Sequence, residues 1–193
     1  MRVQTVIEDI RNSLVSSFSS IDAWFDKEAG VRSYKPQNGG WSINEVLEHI
    51  ALTNHFLLIL IDKGARKALD NASRVNVEDA VKDYEFHRDR LDEVGIHKSF
   101  DWIRPEHMEP KGGKSLTEVR QELNGQLERC LGHLQNLGKG EGVLYRTTMS
   151  VNGLGKIDVY EYIYFLAQHG QRHITQMHKV EAEYQAGASS TSA

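Results

Sequence analysis

At 193 residues, with 39% apolar and 26% charged side chains, the chain is long enough to bury one core. A net charge of −4, from 23 basic and 27 acidic residues, leaves no electrostatic footprint for a nucleic-acid binder. No apolar run reaches the roughly 18 residues needed to span a membrane, and a single cysteine, Cys130, excludes an intrachain disulfide. The opening "MRVQTVIEDIRNSL" lacks the basic and apolar regions of a signal peptide, so a reduced, cytoplasmic setting is expected.

Residues 3–28 carry Val6, Ile10, Leu14, Phe18, Ile21 and Phe25 at helical spacing, the stripe of an amphipathic helix that "VRSYKPQNGG" then interrupts. A capping box, Ser42 with Glu45, opens a second helix expected to run to about Leu69, with Val46, Ile50, Thr53 and Leu60 as its inner stripe. Asn76 and the acidic turn behind it start a further short helix through "NVEDAVKDYEFHRDRLDEV". Residues 95–114 read as an irregular connection. Ser115 and Glu118 form a second box, and Leu116, Val119, Leu123, Leu127, Cys130, Leu131 and Leu134 place Cys130 in a core stripe rather than at a reactive position. Glycines in "NLGKGEG" stop that helix. "VLYRTTMSVNGLGKI" fits either a short hairpin or a loop. A third box, Asp158 with Glu161, opens the last helix.

The fold expected is all-α: a four-helix bundle with a long connection, containing the extra short helix, between the second and third long helices. One bundle domain covers residues 1–184. Residues 185–193, small and polar, are expected to be a disordered tail.

Nine histidines are present. His169 and His173 stand four apart on one stripe of the last helix with Tyr162, Phe165, Leu166, Gln176, Met177 and Val180. Two imidazoles on an inward face need hydrogen-bond partners or a metal, and the spacing alone leaves both open. A metal needs a third ligand, for which His49 on the second helix is the best candidate. His178 points away from the pair, and His55, His87, His97, His107 and His133 read as surface residues. No Glu-x-x-His pair for a di-iron bundle occurs. Gly170 stands where H-E-x-x-H would put its glutamate. A mononuclear, all-histidine site is what remains.

"KPQNGGWSINEVLEHI" together with "HGQRHITQ" resembles the DinB-like superfamily of metal-dependent enzymes, in which a P…W-S-x-x-E-x-L-x-H segment precedes a late H-x-x-R-H-x-x-Q helix. The matching residues are Pro36, Trp41, Ser42, Glu45, Leu47 and His49, then His169, Arg172, His173 and Gln176. The resemblance implies a four-helix bundle, often a homodimer, with His49, His169 and His173 as ligands to one divalent ion, zinc or nickel. It assigns Arg172 and Gln176 to support of the site or to bundle hydrogen bonding, where the spacing alone fits solvated helix surface equally well. Trp41 is expected as a core plug at the helix entry.

A three-histidine metal with an open position can activate water for hydrolysis or a thiol for nucleophilic attack. With Gly170 in the usual base position, the balance favours the thiol. The leading expectation is therefore S-transfer from a low-molecular-weight thiol to a small electrophile, in line with thiol transferases in the family. A metal-dependent hydrolase is the enzymatic alternative; a non-catalytic, metal-stabilised dimeric bundle is the other.

Overall fold

The computed structural model describes residues 2–101 and 105–191. The first stripe forms α1 (Val3–Asp22), burying Val6, Ile10, Leu14, Phe18 and Ile21. The helix stops earlier than its stripe. A 3₁₀ turn, Ala23–Asp26, tightens the chain so that Trp24 and Phe25 stay buried. A further short helix, α2 (Ala29–Ser33), follows where the sequence read only as a break.

Helix α3 (Ile43–Ala72) begins at the expected box: Ser42 accepts from the Glu45 N–H, and the Glu45 carboxylate returns to the Ser42 N–H at 2.8 Å. Reciprocal caps of this kind stabilise a helix start by about 1 kcal/mol. The buried face includes Val46, Ile50 and Thr53 as expected, but Leu60 is exposed and Leu57, Leu58 and Ile61 take the inward positions.

The short helix expected from Asn76 is instead two. Helix α4 (Val77–Ala80) and helix α5 (Arg88–Gly95) are separated by a non-helical stretch. The break has a cause outside the segment: the backbone N–H of His87 donates to buried Glu161 at 3.2 Å, and its ring Nδ1 meets the same oxygen at 2.6 Å. That pairing takes His87 out of a continuous helix and lets it act as the entry to α5. Within the connection that follows, residues 102–104 lie outside the described residues.

Helix α6 (Leu116–Asn136) starts at the second box, Ser115 with Glu118. It buries Val119, Leu123, Cys130 and Leu134, while Leu116 and Leu127 pack half-buried at the core's edge. Burial pushes the Cys130 thiol up to about 12, in keeping with a packed and unreactive group. The ambiguous segment resolves as a hairpin, β1 (Arg146–Met149) with β2 (Gly155–Asp158), antiparallel with Thr147 opposite Ile157. Asn152 and Gly153 at its tip adopt φ of 47° and 61°.

The third box forms as well: Asp158 accepts from the Glu161 N–H at 3.1 Å, and Glu161 accepts from the Asp158 N–H at 2.9 Å. It opens α7 (Val159–Thr191), which continues as helix through the small, polar residues where an unstructured tail was expected. Residues 192–193 lie outside the described residues.

Helix α7 packs against α1, α3 and α5, and α6 packs against α1 and α3. The fully buried side chains Ile10, Leu14, Leu47, Ile50, Leu58, Leu134, Tyr160 and Phe165 fill the space between them, each aliphatic one stabilising by about 1.5–3 kcal/mol. No helix among the described residues is long and apolar enough to cross a membrane. This arrangement sets one face of α7 opposite the N-terminal half of α3, which is where the histidines meet.

Candidate metal centre

His49 comes from the second turn of α3, and His169 and His173 from successive turns of α7. All three are buried, at 3%, 1% and 7% exposure. One nitrogen from each lies within 4.8 Å of the others, close enough to share one ion. The Nε2 atoms of His169 and His173 are 3.0 Å apart. Two ring nitrogens that close share a proton or face a cation, because their lone pairs otherwise repel.

The outer nitrogens fix which atoms face inward. His49 Nδ1 lies 2.7 Å from the Met108 carbonyl, and His173 Nδ1 lies 2.9 Å from Gln176 Oε1. A carbonyl oxygen can only accept, so both Nδ1 atoms carry the hydrogen and both Nε2 atoms present lone pairs. This is the tautomer that a metal needs, oriented by partners just outside the ligands. Burial holds His169 well below the usual imidazole range, with His173 and His49 adding to the effect. Burial, then His49, lowers His173 to about 3. His169 and His173 are thus the neutral bases that a divalent ion binds. The donor set fits a metal.

Why α7 offers histidines here without a glutamate between them follows from packing. A Cβ at Gly170 would lie 2.6 Å from Ser17 Oγ and 3.0 Å from Ile21 Cδ1 on α1. Helix α1 occupies that space, and Ser17 donates to the Ala167 carbonyl at 3.0 Å. The H-E-x-x-H pattern is absent from the sequence, and a side chain at its second position would require Ser17 to shift.

Beside the cluster opens a cavity of about 450 Å³ lined by Trp41, Phe100, His97, Lys98, Asp101, Arg172 and Gln176 together with the three histidines. Trp41 is half-buried and packs against the core at the helix entry, and its ring, 4.7 Å from that of His49, also forms a cavity wall. Arg172 is buried, not solvated. Its guanidinium donates to the Ile96 carbonyl, to Ser99 Oγ at 3.3 Å and to the Phe100 carbonyl at 3.5 Å. It thereby straps the start of the long connection onto α7, with the Phe100 ring 4.9 Å away.

The same connection is held from the other side by α3. Buried Glu48 accepts from the backbone N–H groups of Lys111 and Gly112 at 3.1 and 2.9 Å, next to His49 on Met108. Sequence reasoning missed these contributions because a loop carries no periodicity. Glu48 lies off the α3 stripe and is buried by the connection itself, so the pattern of α3 does not mark it.

The other histidines divide. His55 and His107 are exposed, although His107 stacks on Phe56 at 4.4 Å. His178 is exposed on the far side of α7 against Trp24. Three depart from the surface reading. His133 is largely buried and pairs with Asp62 at 2.7 Å, His87 is paired with Glu161, and His97 lines the cavity.

The fold and the cluster define a helical protein whose three buried imidazoles can hold a metal ion. The sequence profile of the DinB superfamily matches residues 29–177, and the chain belongs to that superfamily. No curated protein and no solved structure matches it.

Proposed function

We propose that this protein is a metal-dependent enzyme in which His49, His169 and His173 hold one divalent ion, zinc or nickel, and a small thiol is transferred to an electrophile. The observation that carries the reading is three buried imidazoles converging within 4.8 Å on the wall of a 450 Å³ cavity, two of them oriented by Met108 and Gln176. Three ligands with adjoining space suit a reactive metal, whereas a purely structural site is closed by a fourth protein ligand. Among the described residues the cluster has three members.

When bound, such an ion is a Lewis acid that lets a thiol react as its thiolate near neutral pH. The chain's own groups do the rest. Met108 and Gln176 keep the histidine lone pairs aimed inward, and Trp41 and Phe100 shield the cavity from bulk water. Arg172 and Glu48 keep the connecting segment in place as its outer wall. The four long helices α1, α3, α6 and α7 read as the bundle that supports this site, in a protein acting on small molecules and assembling as a homodimer. Asp101 on the cavity wall supports a second reading, hydrolysis, since a carboxylate there can take a proton from water.

Metal analysis of the purified protein, followed by conjugation assays with small thiols and electrophilic acceptors, tests the proposal. About one divalent ion per chain and metal-dependent loss of thiol are expected. Stoichiometric metal with no thiol binding sinks S-transfer, and ester or amide cleavage abolished by Asp101→Asn selects hydrolysis.

A further inference from the structure

We infer that residues 96–101 form a subsite for a single negative charge, so that the small molecule taken by this cavity is an anion whose charge lies apart from its metal-binding group. The inference deepens the metal-enzyme reading and rests on it for where that group sits.

Lys98 is central. It lines the cavity and makes no ion pair among the described residues. Its backbone has φ 65°, a left-handed conformation that costs a side-chain-bearing residue energy and that neighbouring contacts must hold. Those contacts are visible: Arg172 bonds Ile96, Ser99 and Phe100, on both sides of Lys98. A simple surface lysine needs no such strap. Next to it, His97 lines the same cavity and has its Nδ1 buried with no hydrogen-bond partner among the described residues, a debt that binding a polar group nearby can relieve.

The charge balance points the same way. Among the lining residues Asp101 is the one carboxylate, set against Lys98 and Arg172. An imidazole ligand brings no negative charge, so the three histidines leave the full charge of a divalent ion uncompensated. A cleft with that excess, walled by Trp41 and Phe100, concentrates anions. The aromatic walls and limited volume suit a small organic ion of this kind. A thiol carrying one carboxylate or sulfonate is the chemical class that satisfies both ends.

The test uses the full chain loaded with cobalt(II), whose visible spectrum reports ligand binding. Wild type, Lys98→Ala, Lys98→Glu and Lys98→Arg are titrated with 2-mercaptoethanol against 2-mercaptoethanesulfonate, and with acetohydroxamate against succinate monohydroxamate. Lys98 is exposed, so equal cobalt content and melting temperature are expected across the set. In wild type and Lys98→Arg the charged member of each pair binds about fivefold more tightly than the neutral one. That ratio falls to about one in Lys98→Ala, inverts in Lys98→Glu and shrinks with added salt. A wild-type ratio of one, or a ratio that Lys98→Ala leaves unchanged, overturns the subsite. Thiols that bind without charge preference defeat the subsite and leave S-transfer standing. Thiols that fail to bind beside a Lys98-dependent hydroxamate ratio do the reverse. A wild-type protein that retains no metal overturns both.

Discussion

Helix α7 buries two polar clusters about eight residues apart, and their construction differs in direction. At its first turn, Glu161 gathers the N–H of Asp158, the N–H of His87 and the His87 ring, while Asp158 caps the helix. Most acceptors there meet donors supplied by the surrounding fold, Asp158 Oδ2 being the exception. Further along, His169 and His173 face His49 with lone pairs turned toward one another, and a cavity opens beside them. Asp158 and Glu161 are as inaccessible to solvent as the three histidines, so burial of polar groups does not separate a structural network from a reactive one. What separates them is whether the donors and acceptors are spent on the protein or are kept for something else.

The strongest way to break this comparison is to remove one member of each cluster. His169→Ala should weaken binding of zinc by more than about 100-fold, beyond the 10- to 100-fold of an outer-shell change, in competition with a chromophoric chelator. Glu161→Ala should leave that affinity intact. It should instead lower stability by about 2–4 kcal/mol in urea unfolding, since three donors lose their acceptor in the interior. Equal loss of metal in both variants would show that the first cluster is coupled to the second.

Gln176→Leu probes the boundary between the two kinds of polar contact. It removes the acceptor for His173 Nδ1 without touching a ligand. We expect a fall in metal affinity of about tenfold, with a smaller change in unfolding free energy.

The smallest expected effect, and the sharpest in sign, is the pH dependence of the metal-free protein. Asp158 is pushed up to about 7, by burial first and the Glu161 charge second. Its folded form keeps a proton that the unfolded chain loses above about 4. Its contribution is therefore full below that value and is lost as pH rises toward 7. His173, held near 3, behaves oppositely: the unfolded imidazole gains a proton below 6.5 while the folded one does not, so stability is lost as pH falls from there toward 3. The two windows overlap between about pH 4 and 6.5 with opposite signs, so thermal melts across that range should show Asp158→Asn tilting Tm upward with rising pH and His173→Gln tilting it downward, each by about a few degrees. Two variants that tilt the profile in the same direction would mean that the clusters titrate as one.

Much of this was legible in the sequence because it is local. All three reciprocal caps, at Ser42, Ser115 and Asp158, form where a hydroxyl or carboxylate precedes a glutamate by three residues. The 3.6-residue stripe put His169 and His173 on one inward face, and the structure brings His49 to them. What escaped the sequence depends on contacts between distant segments. Glu161 divides α4 from α5 from 74 residues away. Arg172 and Glu48 position a connection with no pattern of its own, and so His97, Lys98 and Asp101 reach the cavity without any signal in their own neighbourhood.

The close approach of α1 at Gly170 bears on how this site can change over evolutionary time. The position one residue after the first histidine of the pair is where a zincin carries its base, and here a substitution meets the side-chain tips of Ser17 and Ile21. Any side chain would first have to turn the Ser17 hydroxyl and the Ile21 methyl aside, a packing cost that the loop wall does not impose. New chemistry is more accessible through residues 96–101, which line the cavity without belonging to the core. The fold thus confines variation to the loop wall while leaving the three imidazoles in place.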